Sequence, residues 1–186
     1  MIGYAVCGSF CTHSATLKVM RELTERGEEL LPIVSETVYT TDTRFGKAAD
    51  FLWEMHEICG KDIIHTVKDA EPLGPAIHLE ALIIAPCTGN TIAKMARGIT
   101  DGTVTMAAKA HLRADRPLLI ALASNDAMSA NLESIATMLR RKSVYFVPMR
   151  QDDPEKKPHS LIADFSRVAE SLDAMREGRQ LRPLFF

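Results

Sequence analysis

Residues Ala81 to Lys109 read ALIIAPCTGNTIAKMARGITDGTVTMAAK, and the architecture of the chain follows from them. The stretch opens on a short apolar run, Ala81-Leu82-Ile83-Ile84-Ala85, of the length and composition of a strand buried on both faces. Pro86 has no N–H to give a ladder and is expected to stop the strand. Small and polar residues follow, Cys87-Thr88-Gly89-Asn90-Thr91, and then the helical segment Ile92-Ala93-Lys94-Met95-Ala96. A strand, a tight loop and a helix start in that order make a pocket. Freed N–H groups and the positive end of the helix dipole point at whatever lies above the strand. A single capping residue would need only one of these polar side chains. The loop carries several, which favours a ligand loop over a plain cap.

The same unit recurs on either side. Ile2 to Val6 is an apolar run ending in Cys7-Gly8-Ser9, followed by a helix from about Ala15 to Arg26 with Leu17, Met20 and Leu23 on one face. Its turn is not G-x-G-x-x-G, so a dinucleotide fingerprint is absent. Leu30 to Val34 is a strand ending in Ser35-Glu36-Thr37, and a helix is expected from Arg44 to Ile58. Ile63 to Thr66 reads as a further strand in which His65 is a structural histidine, and His13 reads as a partner of the first helix start. Downstream come a helix over Thr103–Arg113, a strand over Leu118–Leu122 ending in Ala123-Ser124-Asn125-Asp126, and a helix over Asn131–Arg141. Val144 to Val147 reads as the last strand and Ser160 to Glu177 as the last helix. Strands alternating with helices predict an α/β fold, a doubly wound parallel sheet with helices on both faces, in one unit spanning residues 1–186. Ligands of such sheets sit beyond the carboxyl ends of the strands, where the small and polar residues collect.

Composition narrows the function. With 22 Lys and Arg against 24 Asp and Glu, the net charge of −2 offers no basic surface for nucleic acid, and no apolar run is long enough to cross a membrane. The opening Met1–Val6 reads as a strand rather than a signal peptide, so a cytoplasmic location is expected. The four cysteines form no C-x-x-C pair, and neither a disulfide framework nor a metal site is expected. Cys87 has the one credible functional position among them, where a helix start would favour its thiolate; a small loop residue is the plainer account. The Thr103–Lys109 helix, rich in Ala, Met and Thr, suits a contact between protomers, although the spacing of Met106, Ala107 and Ala110 fits core nearly as well.

Ala85 to Lys94, APCTGNTIAK, resembles the A-P-x-T-A-N-T-x-x-K signature of the homo-oligomeric flavin-containing cysteine decarboxylases. The Gly8-Ser9 turn, Gly98 and Asp101 fit that superfamily too. The resemblance implies a Rossmann-like, flavodoxin-like three-layer sandwich, built as trimers, with FMN held where protomers meet. Two departures separate this chain from the decarboxylases. The superfamily's catalytic histidine falls on Pro72, with His78 too far along to replace it. Its P-x-M-N-x-x-M-W motif becomes Leu122-Ala123-Ser124-Asn125-Asp126-Ala127-Met128-Ser129. Decarboxylation of a peptidyl or pantothenoyl cysteine is therefore not implied.

A closer resemblance covers almost the whole chain and is to the B subunits of dipicolinate synthase from spore-forming bacteria. It is carried by APCTGNT, by Thr100 to Lys109, by Leu112-Arg113, by Ser124 to Ala127, and by Tyr145 to Pro148 leading into the charged loop Gln151 to Pro158. It implies a partner A subunit carrying NAD(P), and joint oxidation of a dihydrodipicolinate-type intermediate to dipicolinate during sporulation, in the mother cell. The expected cofactor pocket, for FMN or a phosphate, comprises Gly8, Ser9, Ser35, Pro86, Cys87, Thr88, Gly89, Asn90, Thr91, Ser124 and Asn125. The phosphate is expected near Gly8, Ser9 and Ser35. Arg97 and Arg113 are candidate clamps for the dicarboxylate, because a guanidinium pairs bidentately with carboxylate. The alternatives are a non-catalytic phosphate- or flavin-binding scaffold, and an FMN-dependent decarboxylase-type enzyme.

Overall fold

The apolar runs pair side by side as a parallel sheet. A computed structural model, describing every residue from Met1 to Phe186, places β1 (Ile2–Val6), α1 (His13–Glu25), β2 (Leu30–Val34), α2 (Glu36–Thr40), α3 (Ala48–Cys59), α4 (Val67–Ala70), β3 (Ala81–Cys87) and α5 (Gly89–Ala96) in chain order. They are followed by α6 (Thr103–Leu112), β4 (Leu118–Ser124), α7 (Leu132–Leu139), β5 (Val144–Phe146), β6 (Met149–Arg150), β7 (Leu161–Ala163) and α8 (Val168–Arg176). The five parallel strands lie in the order β2-β1-β3-β4-β5. The end of β4 also pairs antiparallel with β7, which pairs with β6.

Strand alternation sorts the core into two layers. Ile2, Tyr4 and Val6, with Ile83, Leu119 and Ala121, face α1, α3 and α8. Ala5 and Cys7, with Leu82, Ile84, Ile120 and Leu122, face α5, α6 and α7. Both faces of β3 and β4 are buried throughout, which is why they read as unbroken apolar runs. On α1 the predicted Leu17, Met20 and Leu23 stripe is buried.

Five expectations are corrected. Pro86 does not end β3. Between Ile84 and Cys87 the register gains a residue against Ile120–Leu122, and Pro86 sits in that bulge, where a missing N–H costs no regular ladder bond. Its carbonyl accepts from Cys7 N–H at 3.1 Å. Ile63–Thr66 forms only one bridge, Ile64 to Ile33, because Thr66 turns at once to cap α4 through Asp69 N–H. The helix expected from Arg44 begins at Ala48, after the short α2 and a Thr43–Gly46 turn. The segment expected as one last helix is β7, a turn of 3-10 helix capped by Asp164, and α8. The apolar face of α6 (Val104, Ala107, Ala108, Ala110) is buried within this chain, so it is core rather than an open contact surface.

Candidate functional site

Two adjoining cavities open above the carboxyl ends of the strands. The larger, about 550 Å³, is walled by Gly8–Cys11 after β1, Thr88–Asn90 after β3, Ala123–Asp126 at the end of β4, and Ser160–Ile162 of the β6–β7 return. Arg44 and Phe45 close one side, and Asp152 and Lys157 another. The smaller, about 320 Å³, is lined by Cys7, Ser35–Thr37, Thr91, Lys94 and the start of α6. Gly8, Thr88 and Asn90 border both. In a sheet ordered 2-1-3-4-5 the chain leaves β1 toward β2 and returns to β3 on the other side, and the crevice between β1 and β3 is where such folds take ligands.

Thr88 is the N-cap of α5, accepting from Thr91 N–H at 3.3 Å, so the helix begins earlier than its sequence pattern suggests. The N–H groups of Gly89 and Asn90 then have no intrahelical acceptor and face the cavities. Thr91 passes its hydroxyl inward to Cys7 Sγ at 3.3 Å. Ser35 caps α2, accepting from Val38 N–H at 3.4 Å. A second helix start, that of α6, also faces the smaller cavity, but Glu36 fills it: its carboxylate accepts from Thr103 N–H at 2.9 Å and Oγ1 at 2.8 Å. The free anion-binding end is therefore that of α5.

At the β4 end, Ser124 donates to the Asp126 carboxylate, and Asn131 lies beside it. The Ser124 hydroxyl first, and then the Asn131 amide, hold the Asp126 carboxyl below the usual carboxylate range. This group fills the space over Gly89, where a Cβ would stand 2.6 Å from Ser124 Oγ and from Asn131 Nδ2.

Of the residues expected in the cofactor pocket, Gly8, Ser9, Thr88, Gly89, Asn90, Ser124 and Asn125 line the larger cavity, and Ser35 and Thr91 the smaller. Pro86 and Cys87 line neither, because the bulged strand carries both into the buried sheet. Burial, with Cys7 as a neighbour, pushes the Cys87 thiol well above its usual range, so Cys87 is a packed thiol and not the thiolate that a helix start would favour. Cys7 is likewise pushed up to about 11 by burial. No histidine borders either cavity. His13 stacks on Phe51 and bonds the Cys7 carbonyl at 3.1 Å, and His65 stacks on Tyr39. Pro72 lies in a turn, its carbonyl accepting from Ala76 and Ile77. His78 precedes β3, at the far end of that strand from the cavities, against Arg116. Arg97 pairs with Glu133, and Arg113 opens onto a different cavity. Arg44, Phe45, Asp126 and Lys157 are not among the expected site residues. For Lys157 the one available signal is the charged, proline-marked pattern of its loop, Gln151–Pro158.

The residues present fit a flavin mononucleotide-sized ligand. The joined cavities match the range of about 300–1,000 Å³ typical of small-ligand sites, and the α5 start supplies uncommitted N–H donors for a phosphate. Among the protein's residues no cluster suited to a metal ion occurs.

A parallel sheet of this order, with an anion-ready helix start at its switch point, defines a flavodoxin-like protein. The Flavoprotein family model matches residues 5–158. The B chain of dipicolinate synthase from Bacillus subtilis is 37% identical over 183 residues, 98% of this chain and 92% of the relative. The crystal structure of its counterpart from Bacillus halodurans, also a dipicolinate synthase B chain, superposes with a TM-score of 0.91 at 37% identity, covering 100% of this chain and 95% of that one. A dodecameric FMN-dependent UbiX-like decarboxylase from Escherichia coli shares the fold, with a TM-score of 0.63 at 21% identity over 80% of each chain. The chain belongs to the flavoprotein family and, within it, to the dipicolinate synthase B subunits.

Proposed function

We propose that this chain is the B component of a two-subunit dipicolinate synthase, one domain over residues 1–186, acting with an A subunit that carries NAD(P). The pair oxidises a dihydrodipicolinate-type intermediate to pyridine-2,6-dicarboxylate in the cytoplasm of a sporulating mother cell. The carrying observation is whole-length likeness to B subunits that includes the charged Gln151–Pro158 loop, two residues of which, Asp152 and Lys157, wall the strand-end cavity. Aromatising the ring removes a hydride and a proton. The nicotinamide of the partner would supply the hydride acceptor, and the proton would pass to water or a cavity carboxylate. Gly8, Ser9, Gly89 and Asn90 would hold the phosphate of an FMN, with Ser35 and Thr91 nearby. Asn90 orients the ligand, and the covering loop excludes water. A homo-oligomer with a trimeric unit is part of this reading, in line with the dodecameric relative.

A second reading is favoured by a specific observation: the superfamily histidine is Pro72, and no histidine borders the cavities. In that reading the chain holds a phosphate or flavin and shapes the site of the A subunit without redox chemistry of its own. Reconstituted A plus B, assayed for dipicolinate, separates the readings together with FMN titration by fluorescence quenching. Asn90→Ala is expected to weaken ligand binding by roughly ten- to a hundredfold, the consequence of about 1–3 kcal/mol for unpaired polar partners. An A subunit fully active alone would overturn the two-subunit reading. No FMN binding alongside normal reconstituted activity would leave the scaffold.

A further inference from the structure

A third cavity, about 250 Å³, lies in the outer groove of α5, α6 and α7, separated from the smaller strand-end cavity by the first turn of α6. Its charged lining is Lys109, Arg113 and Arg141, and no acidic residue borders it. None of these cations is ion-paired, although neighbouring cations are: Arg97 with Glu133 on the flank and Lys94 with Asp101. Lys109 and Arg113 stand four residues apart on α6, a spacing at which like charges repel. Arg141 is drawn over from the end of α7, its Nη1 reaching the Met95 carbonyl at 3.5 Å. Cations near helix C-termini are favoured one by one. That advantage is equally available to side chains turned to solvent, and does not account for three of them around one hollow.

We propose that this groove is a second ligand site, for a small molecule bearing two carboxylates. The cavity falls below the range of about 300–1,000 Å³ usual for larger ligands, so a flavin or nucleotide does not fit it. Met95, Ala108 and Leu112 give an apolar floor for a flat ring or short carbon skeleton. Two guanidinium forks grip two carboxylates bidentately, Lys109 adds a third charge, and Thr100 a hydroxyl. The location follows from the charges. The dicarboxylate class rests on the function proposed above, since substrate and product of that reaction are both dicarboxylates.

The test is calorimetric titration of the full chain, without the A subunit, with pyridine-2,6-dicarboxylate, pyridine-2-carboxylate and inorganic phosphate. The dicarboxylate is expected to bind and the monocarboxylate to bind at least tenfold more weakly. Arg113→Ala and Arg141→Ala are each expected to cost at least tenfold, and Arg113→Lys, which keeps charge but not the fork, an intermediate amount. Arg97→Ala should leave this binding unchanged. Both arginines are exposed, so the variants are expected to fold, with circular dichroism as the check. No heat at millimolar ligand, or binding that survives the double arginine variant, would overturn the site. Phosphate binding as tight as the dicarboxylate would overturn the ligand class. Synthase activity with the A subunit is read separately, so failure of the proposed function leaves a different signature.

Discussion

Gly89→Ala is the sharpest perturbation of the strand-end site, because the superfamily signature carries alanine there and this chain does not. An added Cβ would lie 2.6 Å from Ser124 Oγ, 2.6 Å from Asn131 Nδ2 and 2.8 Å from Asp126 Oδ1. Ser124 and Asn131 are 9% and 6% exposed, so neither has open space to retreat into. The methyl must displace the Ser124–Asp126 hydrogen bond, worth about 1 kcal/mol, and overpack a filled site, which usually costs about 1–3 kcal/mol. Alanine regains at most about 1 kcal/mol of helix propensity, less in a first turn. The expected net loss is ~1–3 kcal/mol. For a chain of this length that lowers Tm by roughly 2–10 °C. Ser124→Ala removes one of the obstructing atoms, so in a double-mutant cycle Gly89→Ala should cost less on that background, with a coupling of about 0.5–2 kcal/mol. Urea and thermal unfolding of the four proteins measure this. A Gly89→Ala chain as stable as the parent, or additivity in the cycle, refutes the steric argument.

The thiols should separate by burial: Cys11, exposed, is alkylated first by iodoacetamide, Cys59 slowly because burial holds its thiol up at about 12, and Cys7 and Cys87 only on unfolding; peptide mass mapping reads the order, and fast labelling of Cys87 would contradict it. His13 and His111 are both held below the usual histidine range, burial being the first cause, so the unfolded chain binds protons first. Their contribution is full above the unfolded value of about 6.5 and is lost as pH falls through it toward the folded values, so the urea midpoint should drop on acidification and drop less in His13→Gln. Glu36→Gln keeps shape but removes the charge at the α6 start, and is expected to cost about 0.5–2 kcal/mol in unfolding measurements, with no change counting against the capping role.

The long parallel strands were legible because double burial makes them continuous apolar runs, and a run such as Leu118–Leu122 needs no tertiary information to recognise. What failed were features without a period. The bulge at Pro86 depends on how β3 meets β4. The two-residue β6 and three-residue β7 are too short to show alternation, and they exist because β4 offers them an edge. Ile63–Thr66 has strand composition, but Thr66 finds a better use as a cap. The site divides the same way. Gly8, Ser9, Thr88 and Asn90 could be read because strand ends predict them. Arg44, Phe45 and Lys157 come from loops whose return over the cavity is set by the assembled fold.

The departures from the decarboxylase pattern are not independent losses. Gly89 and the Ser124-Asn125-Asp126 segment come from different strand ends, yet the absent methyl of one is the room occupied by the side chains of the other. Restoring alanine at position 89 alone creates a collision, whereas restoring the pattern's methionine at 124 alone removes the hydroxyl that Asp126 accepts from. The two positions are therefore coupled by the space they share. That packing places an ionised carboxylate, Asp126, on the wall of the larger cavity, which Lys157 also lines. A cavity whose new groups are polar, mutually satisfied and facing the ligand space remains adapted to hold something, and that is why the strand-end site, rather than any other hollow of the molecule, is the seat of the proposed function.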